Sequence, residues 1–265
     1  MNSIPYHLAI IMDGNRRWAR GNGMGPLRGH QQGADTLKTV AKHAHEYGVK
    51  WLSVFAFSFE NWKRPKPEVE GLMGLLARFL ENDIGELNDQ NVKLRVIGNR
   101  TRFSPRLIDL IEWAEKETFN NSGLNLTLAL DYGGRQEIAM AARLVATEVA
   151  SGIISIEDIN EDFLKSRMLS SALPEIDLLI RTGGEQRVSN FMLWDISYAE
   201  LHFTPVFWPN FTISDLEKAL DDFSKRDRRF GGNMLREVER PTGVEEVVVD
   251  DVSKTVHVNS NRQIV

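Results

Sequence analysis

The chain has no cysteine in its 265 residues. That excludes disulfides and thiolate metal sites, and it suits a reducing compartment. It also lacks any apolar run near the roughly 20 residues that span a bilayer. Asp13 and Arg16 interrupt the first apolar stretch too early for a signal peptide, so a cytoplasmic protein is expected. Positive charge is not in excess either. The net charge of −5 gives no global attraction to nucleic acid or anionic lipid, so no nucleic-acid partner is expected and any cationic site must be local. No Gly-x-x-x-x-Gly-Lys-Ser/Thr loop is present, and no Gly-x-Gly-x-x-Gly follows the first strand, which disfavours nucleoside triphosphates and dinucleotides. There is no internal repeat and no low-complexity linker.

What is present is an alternation of short apolar runs with helical periodicity. Strands are predicted at Leu8–Met12, Trp51–Phe57, Lys93–Ile97, Leu126–Leu130, Ile176–Ile180 and Phe191–Trp194. Several are apolar without alternation, as strands covered on both faces are. Helices are predicted at Ala34–Tyr47, Val69–Asn88, Pro105–Thr118, Gln136–Ala150 and Ser214–Arg228. The pattern predicts an α/β fold with a mainly parallel central sheet flanked by helices. One domain is expected over residues 1–232. Residues 233–265 read as a C-terminal extension, either loosely packed or a hairpin or partner-binding strand.

Ligands of open α/β sheets bind beyond the carboxyl ends of the strands. Four polar loops fall there: Asp13-Gly-Asn-Arg-Arg-Trp18, Ser58-Phe-Glu-Asn-Trp-Lys-Arg64, Asp131-Tyr-Gly-Gly-Arg135, and Arg181-Thr-Gly-Gly-Glu-Gln-Arg187 with Ser189. A carboxylate beside arginines suits a magnesium-bridged phosphate site: the acid holds the metal and the guanidiniums hold phosphate oxygens. Ion pairing of Arg17, Arg64, Arg181 and Arg187 with Glu60, Glu68 or Glu185 is the competing reading. The wide apolar face of residues 69–88 (Leu72, Met73, Leu75, Leu76 and Phe79 among them) is either core or the lining of a hydrocarbon tunnel.

Together, Met12-Asp-Gly-Asn-Arg-Arg-Trp18, Gly29-His30, Phe57-Ser-Phe-Glu-Asn-Trp-Lys-Arg-Pro65, Arg181-Thr-Gly-Gly-Glu-Gln-Arg-Val-Ser-Asn-Phe191, Trp194 and Tyr198-Ala-Glu200 resemble the cis-prenyltransferase family, bacterial undecaprenyl diphosphate synthases in particular. The resemblance runs from about His7 to Gly232. It implies a parallel α/β sheet with an elongated hydrophobic cleft, a homodimer, and Mg2+-dependent addition of isopentenyl diphosphate to an allylic diphosphate such as farnesyl diphosphate. The implied product is a Z-polyprenyl diphosphate, such as the undecaprenyl carrier of cell-wall synthesis, which partitions to the membrane.

By the same resemblance Asp13 is the catalytic aspartate and a metal ligand. Gly14, Asn15, Arg16, Arg17 and Trp18 bind the allylic substrate, and His30 sits beside the diphosphates. Ser58, Phe59, Glu60 and Trp62 form a second binding loop, with Asn61 accepting the proton. Arg64, Arg181, Arg187, Val188 and Ser189 grip isopentenyl diphosphate. Glu200 is the second metal ligand, reaching the site across or near the dimer interface. A neutral amide is a weak base, so His30 or a diphosphate oxygen stands as an alternative to Asn61. Asp221-Asp222 and Asp250-Asp251 lack the third aspartate of the trans-prenyltransferase metal cluster.

Four positions depart from the family pattern: Pro26, where most relatives have arginine, Phe59, Asp131 and Asp195. Either Arg28 substitutes for the arginine or one contact is missing. The departures leave open a short-chain or irregular-linkage synthase. A non-catalytic partner subunit and a simple diphosphate-binding module are further alternatives. Ala56, Leu72, Leu76, Val92 and Leu124 are expected to set the depth of the cleft.

Overall fold

A computed structural model describes residues 4–226; the 233–265 extension lies outside the described residues. Six strands, β1 (His7–Ile11), β2 (Trp51–Ser58), β3 (Lys93–Ile97), β4 (Asn125–Tyr132), β5 (Leu178–Arg181) and β6 (Glu200–Phe203), form one sheet in the order β3-β4-β2-β1-β5-β6. Every pairing is parallel. The helices are α1 (Asn15–Gly21), α2 (Pro26–Glu46), α3 (Lys66–Asn82), α4 (Ile84–Asp89), α5 (Pro105–Glu117), α6 (Gly134–Ala150), α7 (Glu161–Lys165) and α8 (Ile213–Ser224).

β1 shows why the central strands read as unbroken apolar runs. All five of its residues are buried. Leu8 and Ile10 enter a large core shared with Val40, Leu80, Ile111 and Leu220, while Ala9 and Ile11 enter a smaller one with Leu179 and Phe191. Helix starts follow their caps. Pro105 stands at the first turn of α5, and the Ser104 hydroxyl accepts from Leu107 N–H at 3.3 Å. Thr212 and Asp215 close a capping box on α8.

Two predicted elements are corrected. Phe191–Trp194 is not a strand. Ser189, Asn190 and Met192 have φ of 48°, 65° and 41°, which extended backbone cannot take. The run is apolar because it is a plug: Phe191 is fully buried and stacks on Phe55 at 4.5 Å. The sixth strand is instead Glu200–Phe203, a short edge strand that alternates Glu, Leu, His and Phe, so its two apolar residues form no continuous run. The predicted helix over 69–88 divides at Asp83, which caps the end of α3 and the start of α4 and whose carboxylate takes Lys38 of α2 at 2.9 Å. The apolar period continues across the break, so periodicity alone does not show it. Helix α1 is missing from the prediction because it is short and carries three arginines.

Strand β2 has a register shift between Phe55 and Phe57, which pair with the consecutive residues Ala129 and Leu130. Ala56 is thus the extra residue of a bulge, and it faces a cavity rather than the core.

Candidate active site

The chain leaves β1 toward β2 on one side, while β5 pairs with β1 on the other. This is the topological switch point at which open α/β sheets bind ligands. The ends of β1 and β5 are joined there by Thr182. Its hydroxyl donates to Asp13 C=O at 2.7 Å and accepts from Asp13 N–H at 3.0 Å. Gly14 has φ of 106°, and a Cβ there would lie 2.7 Å from Phe207, so both backbone conformation and space demand glycine. Gly183, φ 85°, approaches Asp13 and Arg17 so closely that a Cβ would come within 2.7 Å of the Arg17 guanidinium.

Asp13 is the electrostatic centre. Its Oδ2 accepts from Arg181 Nη2 at 2.8 Å, and its Oδ1 accepts from Gly14 N–H at 2.6 Å and faces Arg17 Nη2 at 3.1 Å. Burial works to raise its pKa; the hydrogen bond and charge of Arg181, the charge of Arg17 and the Gly14 N–H outweigh it and hold the carboxyl below its usual range. Arg181 is buried, and its Nη1 also donates to Arg187 C=O at 2.5 Å and Ser189 Oγ at 2.6 Å. One guanidinium thus draws Asp13, Arg187 and Ser189 together, while the Arg187 side chain turns outward to Glu185 at 2.5 Å. Both readings of the arginines hold in part: Arg64 and Arg16 lie 3.2 and 3.5 Å from one Glu68 carboxylate oxygen, and Arg17 lies 3.6 Å from Glu185.

Two cavities meet at this point. A polar cleft of about 680 Å³ is lined by Asp13, Gly14, Asn15, Arg16, Arg17, Arg20 and Pro26, among others. An apolar cavity of about 180 Å³ runs between α2, α3 and strands β2 and β4, with Leu72, Leu75, Leu76, Phe79 and Leu128 in its wall. Met12, Asn15, His30 and Arg64 line both. Leu72, Met73, Leu75 and Leu76 are only half-buried, so this part of the α3 face lines the cavity, while Val69 and Leu80 are core. Of the residues expected to set depth, Ala56, Leu72 and Leu76 line the cavity; Val92 and Leu124 are packed in the core away from it.

At the junction, polar atoms stand buried without partners: Asn15 Oδ1, His30 Nε2 and, nearby, Trp62 Nε1 and Arg181 Nε. Such atoms are costly in a closed fold and suit a site that a ligand completes. His30 is held neutral, its pKa lowered to about 4 by burial and then by the charges of Arg64 and Arg16.

The second loop is a 3-10 turn over Phe59–Lys63, capped by Ser58. Asn61 lines the apolar cavity, but its Oδ1 accepts from Ser58 N–H at 3.1 Å. Glu60 accepts from Asn190 at 3.1 Å. The departures Phe59 and Asp131 prove to be one assembly. Arg102 donates from Nε to Asp131 Oδ2 at 2.8 Å, pairs with Oδ1 through Nη2, and lies over the rings of Phe59 at 4.4 Å and Trp62 at 4.9 Å. The sequence reading missed Arg102, which lies in the loop between β3 and α5, outside the four loops singled out from the sequence.

Trp18 and Glu200 are not brought to the cleft. Trp18 Nε1 donates to Asn210 at 2.7 Å, a fold contact. Glu200 pairs in register with Leu178, which also faces Leu8, so it lies roughly 15–20 Å from Asp13 by strand geometry. Arg226 Nη1 donates to it at 2.8 Å. Val188 packs half-buried against the smaller core. Arg28 is exposed, donates to Gln31 at 2.8 Å and does not line the cleft. Among the described residues no three His, Cys, Asp or Glu gather for a metal ion, and no helix is long and apolar enough to cross a membrane. A single ionised Asp13 nevertheless fits Mg2+, which commonly binds through one or two carboxylates plus substrate phosphates and water.

Residues 11–231 match the family model described as putative undecaprenyl diphosphate synthase. An isoprenyl transferase of Clostridium perfringens is 46% identical over 231 residues, covering 87% of this chain and 91% of that protein. One of Bacillus thuringiensis is 47% identical over 229 residues, 86% and 89% of the two chains. Among solved structures, lavandulyl diphosphate synthase from Lavandula x intermedia, in complex with dimethylallyl diphosphate, superposes with a TM-score of 0.83 at 39% identity, covering 86% of this chain and 98% of that one. A probable undecaprenyl diphosphate synthase from Campylobacter jejuni gives a TM-score of 0.72 at 34% identity, covering 87% and 100%. With β2 to β6 and both cavity walls inside residues 11–231, the chain belongs to the undecaprenyl diphosphate synthase family of isoprenyl transferases.

Proposed function

We propose that this protein condenses isopentenyl diphosphate with an allylic diphosphate such as farnesyl diphosphate, forming a Z-prenyl diphosphate and releasing diphosphate. The observation that carries this reading is the junction of a cationic cleft with an apolar cavity through Asn15, His30 and Arg64. An amphiphile with a diphosphate head and a hydrocarbon tail fits that shape.

In the reaction the allylic carbon loses its diphosphate oxygen and bonds to the terminal alkene carbon of isopentenyl diphosphate, which then loses a proton. Arg16, Arg17, Arg64 and Arg181 stabilise the charge gathering on the leaving oxygens. Asp13 would hold Mg2+ on the diphosphates, and the metal supplies further neutralisation of that charge. Leu72, Leu76 and Phe79 keep water from the allylic cation. Asn61 Oδ1 is already engaged by Ser58, whereas His30 Nε2 is free of partners, so His30 or a diphosphate oxygen is favoured over Asn61 as proton acceptor. A homodimer is part of the proposal, because Glu200 can join a metal at Asp13 only from a second protomer.

The narrow apolar cavity, about 180 Å³ against the roughly 300–1,000 Å³ of small-molecule pockets, favours a short-chain or irregular-linkage synthase as the second reading. Dimethylallyl diphosphate, the compound bound to the Lavandula enzyme, is the matching short substrate. One experiment tests both. The protein is incubated with labelled isopentenyl diphosphate, Mg2+ and either farnesyl or dimethylallyl diphosphate, and products are sized by mass spectrometry, with chelator and Asp13→Ala controls. Extension that stops in both controls is expected. No extension from either primer, or an Asp13→Ala variant as active as wild type, sinks the reading. Ultracentrifugation tests the dimer.

A further inference from the structure

Five arginines of the cleft region share three carboxylates: Arg17 and Arg181 at Asp13, Arg16 and Arg64 at Glu68, Arg17 and Arg187 at Glu185. A sixth, Arg20, lines the same cleft and has no ion pair or side-chain hydrogen bond among the described residues. It follows Arg16 and Arg17 by four and three positions on α1, which places all three on one helix face. Its neighbours on that rim, Met24 and Pro26, offer no side-chain donor, and Pro26 has no N–H. A cation left unneutralised at the rim of a cleft is available to an incoming anion at no cost in broken pairs.

The two cavities give the ligand a direction. A hydrocarbon in the apolar cavity puts the first phosphoryl group beside Asn15, His30 and Arg64, which line both spaces. Arg20 lines the polar cleft but not the apolar cavity. We propose that Arg20 binds the distal phosphoryl group of the allylic diphosphate and so selects diphosphates over monophosphates. This inference rests on the prenyl diphosphate reading above. A purely structural alternative exists, since Arg20 sits in the last turn of α1, where a cation complements the helix dipole.

The test measures binding of farnesyl diphosphate and farnesyl monophosphate, with Mg2+ and without isopentenyl diphosphate, to wild type, Arg20→Ala, Arg20→Lys and Arg28→Ala. Arg20→Ala is expected to bind the diphosphate about tenfold more weakly and the monophosphate as wild type does, since one charge-assisted contact is lost. Arg20→Lys should recover most of that loss, and Arg28→Ala should match wild type. Equal weakening of both ligands by Arg20→Ala, or none of either, overturns the inference while wild-type turnover upholds the reading beneath it. A wild type that binds neither ligand and extends nothing overturns both.

Discussion

The cleft and the far side of the sheet are built from the same kinds of residue and treat them in opposite ways. On the far side, Tyr132 O–H and Ser170 N–H both donate to buried Glu137, and Lys165 Nζ donates to Asp195, Ser170 C=O and Ser170 Oγ. Burial pushes the Glu137 carboxyl up, and most polar atoms are spoken for; Asp195 Oδ2 and Thr127 Oγ1 are exceptions. In the cleft, charges are shared unevenly and Asn15 Oδ1, His30 Nε2 and Arg181 Nε are left unpaired. Closed polar networks hold a fold together, and open ones await a ligand. The contrast also accounts for Asp195: its departure from the family pattern is answered within the chain by Lys165, so it belongs to the closed network and not to the site.

The sharpest way to break the comparison is Asp13→Asn. The amide keeps the shape but not the charge that opposes Arg181 and Arg17. Turnover should fall by about 10³-fold, the scale of losing one preorganised electrostatic contact to the transition state, and the thermal midpoint falls as well, because buried Arg181 loses the charge of its carboxylate partner. Steady-state kinetics and calorimetry on the same sample decide it. An unchanged kcat would mean that the open network is not the catalytic one.

The mirror experiment is Lys165→Met. It leaves Asp195 buried without its cation, at a cost of about 3 kcal/mol or more. For a domain of this size that is a fall of roughly 6–12 °C in melting temperature. KM and kcat of the folded fraction should stay within about twofold, because no atom of this network lines either cavity. A large kcat effect with no loss of stability would join the two regions that the structure keeps apart.

Histidines extend the contrast to pH. His7, in the closed region, bonds Ser53 Oγ and Pro174 C=O at 2.8 Å each, and burial lowers its pKa to about 4. His30, in the open region, has the same lowered value, to about 4. Both folded values lie below the unfolded 6.5, so the unfolded chain binds more protons between those limits and stability falls as pH drops from 6.5 toward 4. Each contributes a slope of at most about 1.4 kcal/mol per pH unit. Denaturant titrations of wild type and His30→Gln across that window should show a shallower slope in the variant. A bound diphosphate should flatten the wild-type slope too, by favouring protonated His30, and leave the His7 share untouched.

The fold was legible where burial on both faces wrote an unbroken apolar run, as in β1, or one broken only by Thr127, as over Leu126–Leu130 of β4. It was illegible at β6, a four-residue edge strand whose Leu201 and Phe203 are separated by His202, and at 191–194, where apolar residues make a plug. The strand-end loops gathered Asp13, Arg64 and Arg181 correctly because topology alone brings those ends together. Glu200 could not be placed in that way: its motif says nothing of the register that puts it at the other end of the sheet. Arg20 needed a helix that a three-arginine segment does not advertise. Arg102 lies 29 positions from the aspartate it pairs with, a separation only the folded sheet closes.

The smallest effect concerns the boundary between the two regions, the Arg102 clamp that holds the loop bearing Asn61. Arg102→Lys keeps a cation against buried Asp131 but loses the planar fork and the faces of Phe59 and Trp62. A loss of about 1 kcal/mol is expected, or roughly 2–4 °C. If the clamp positions the loop, KM for isopentenyl diphosphate rises with kcat nearly constant, and Phe59→Ser in the same background adds less than it does alone. Fully additive effects of the two substitutions on both stability and KM would show that Phe59 and Arg102 act separately. The departures at Phe59 and Asp131 would then be two unrelated changes rather than one device.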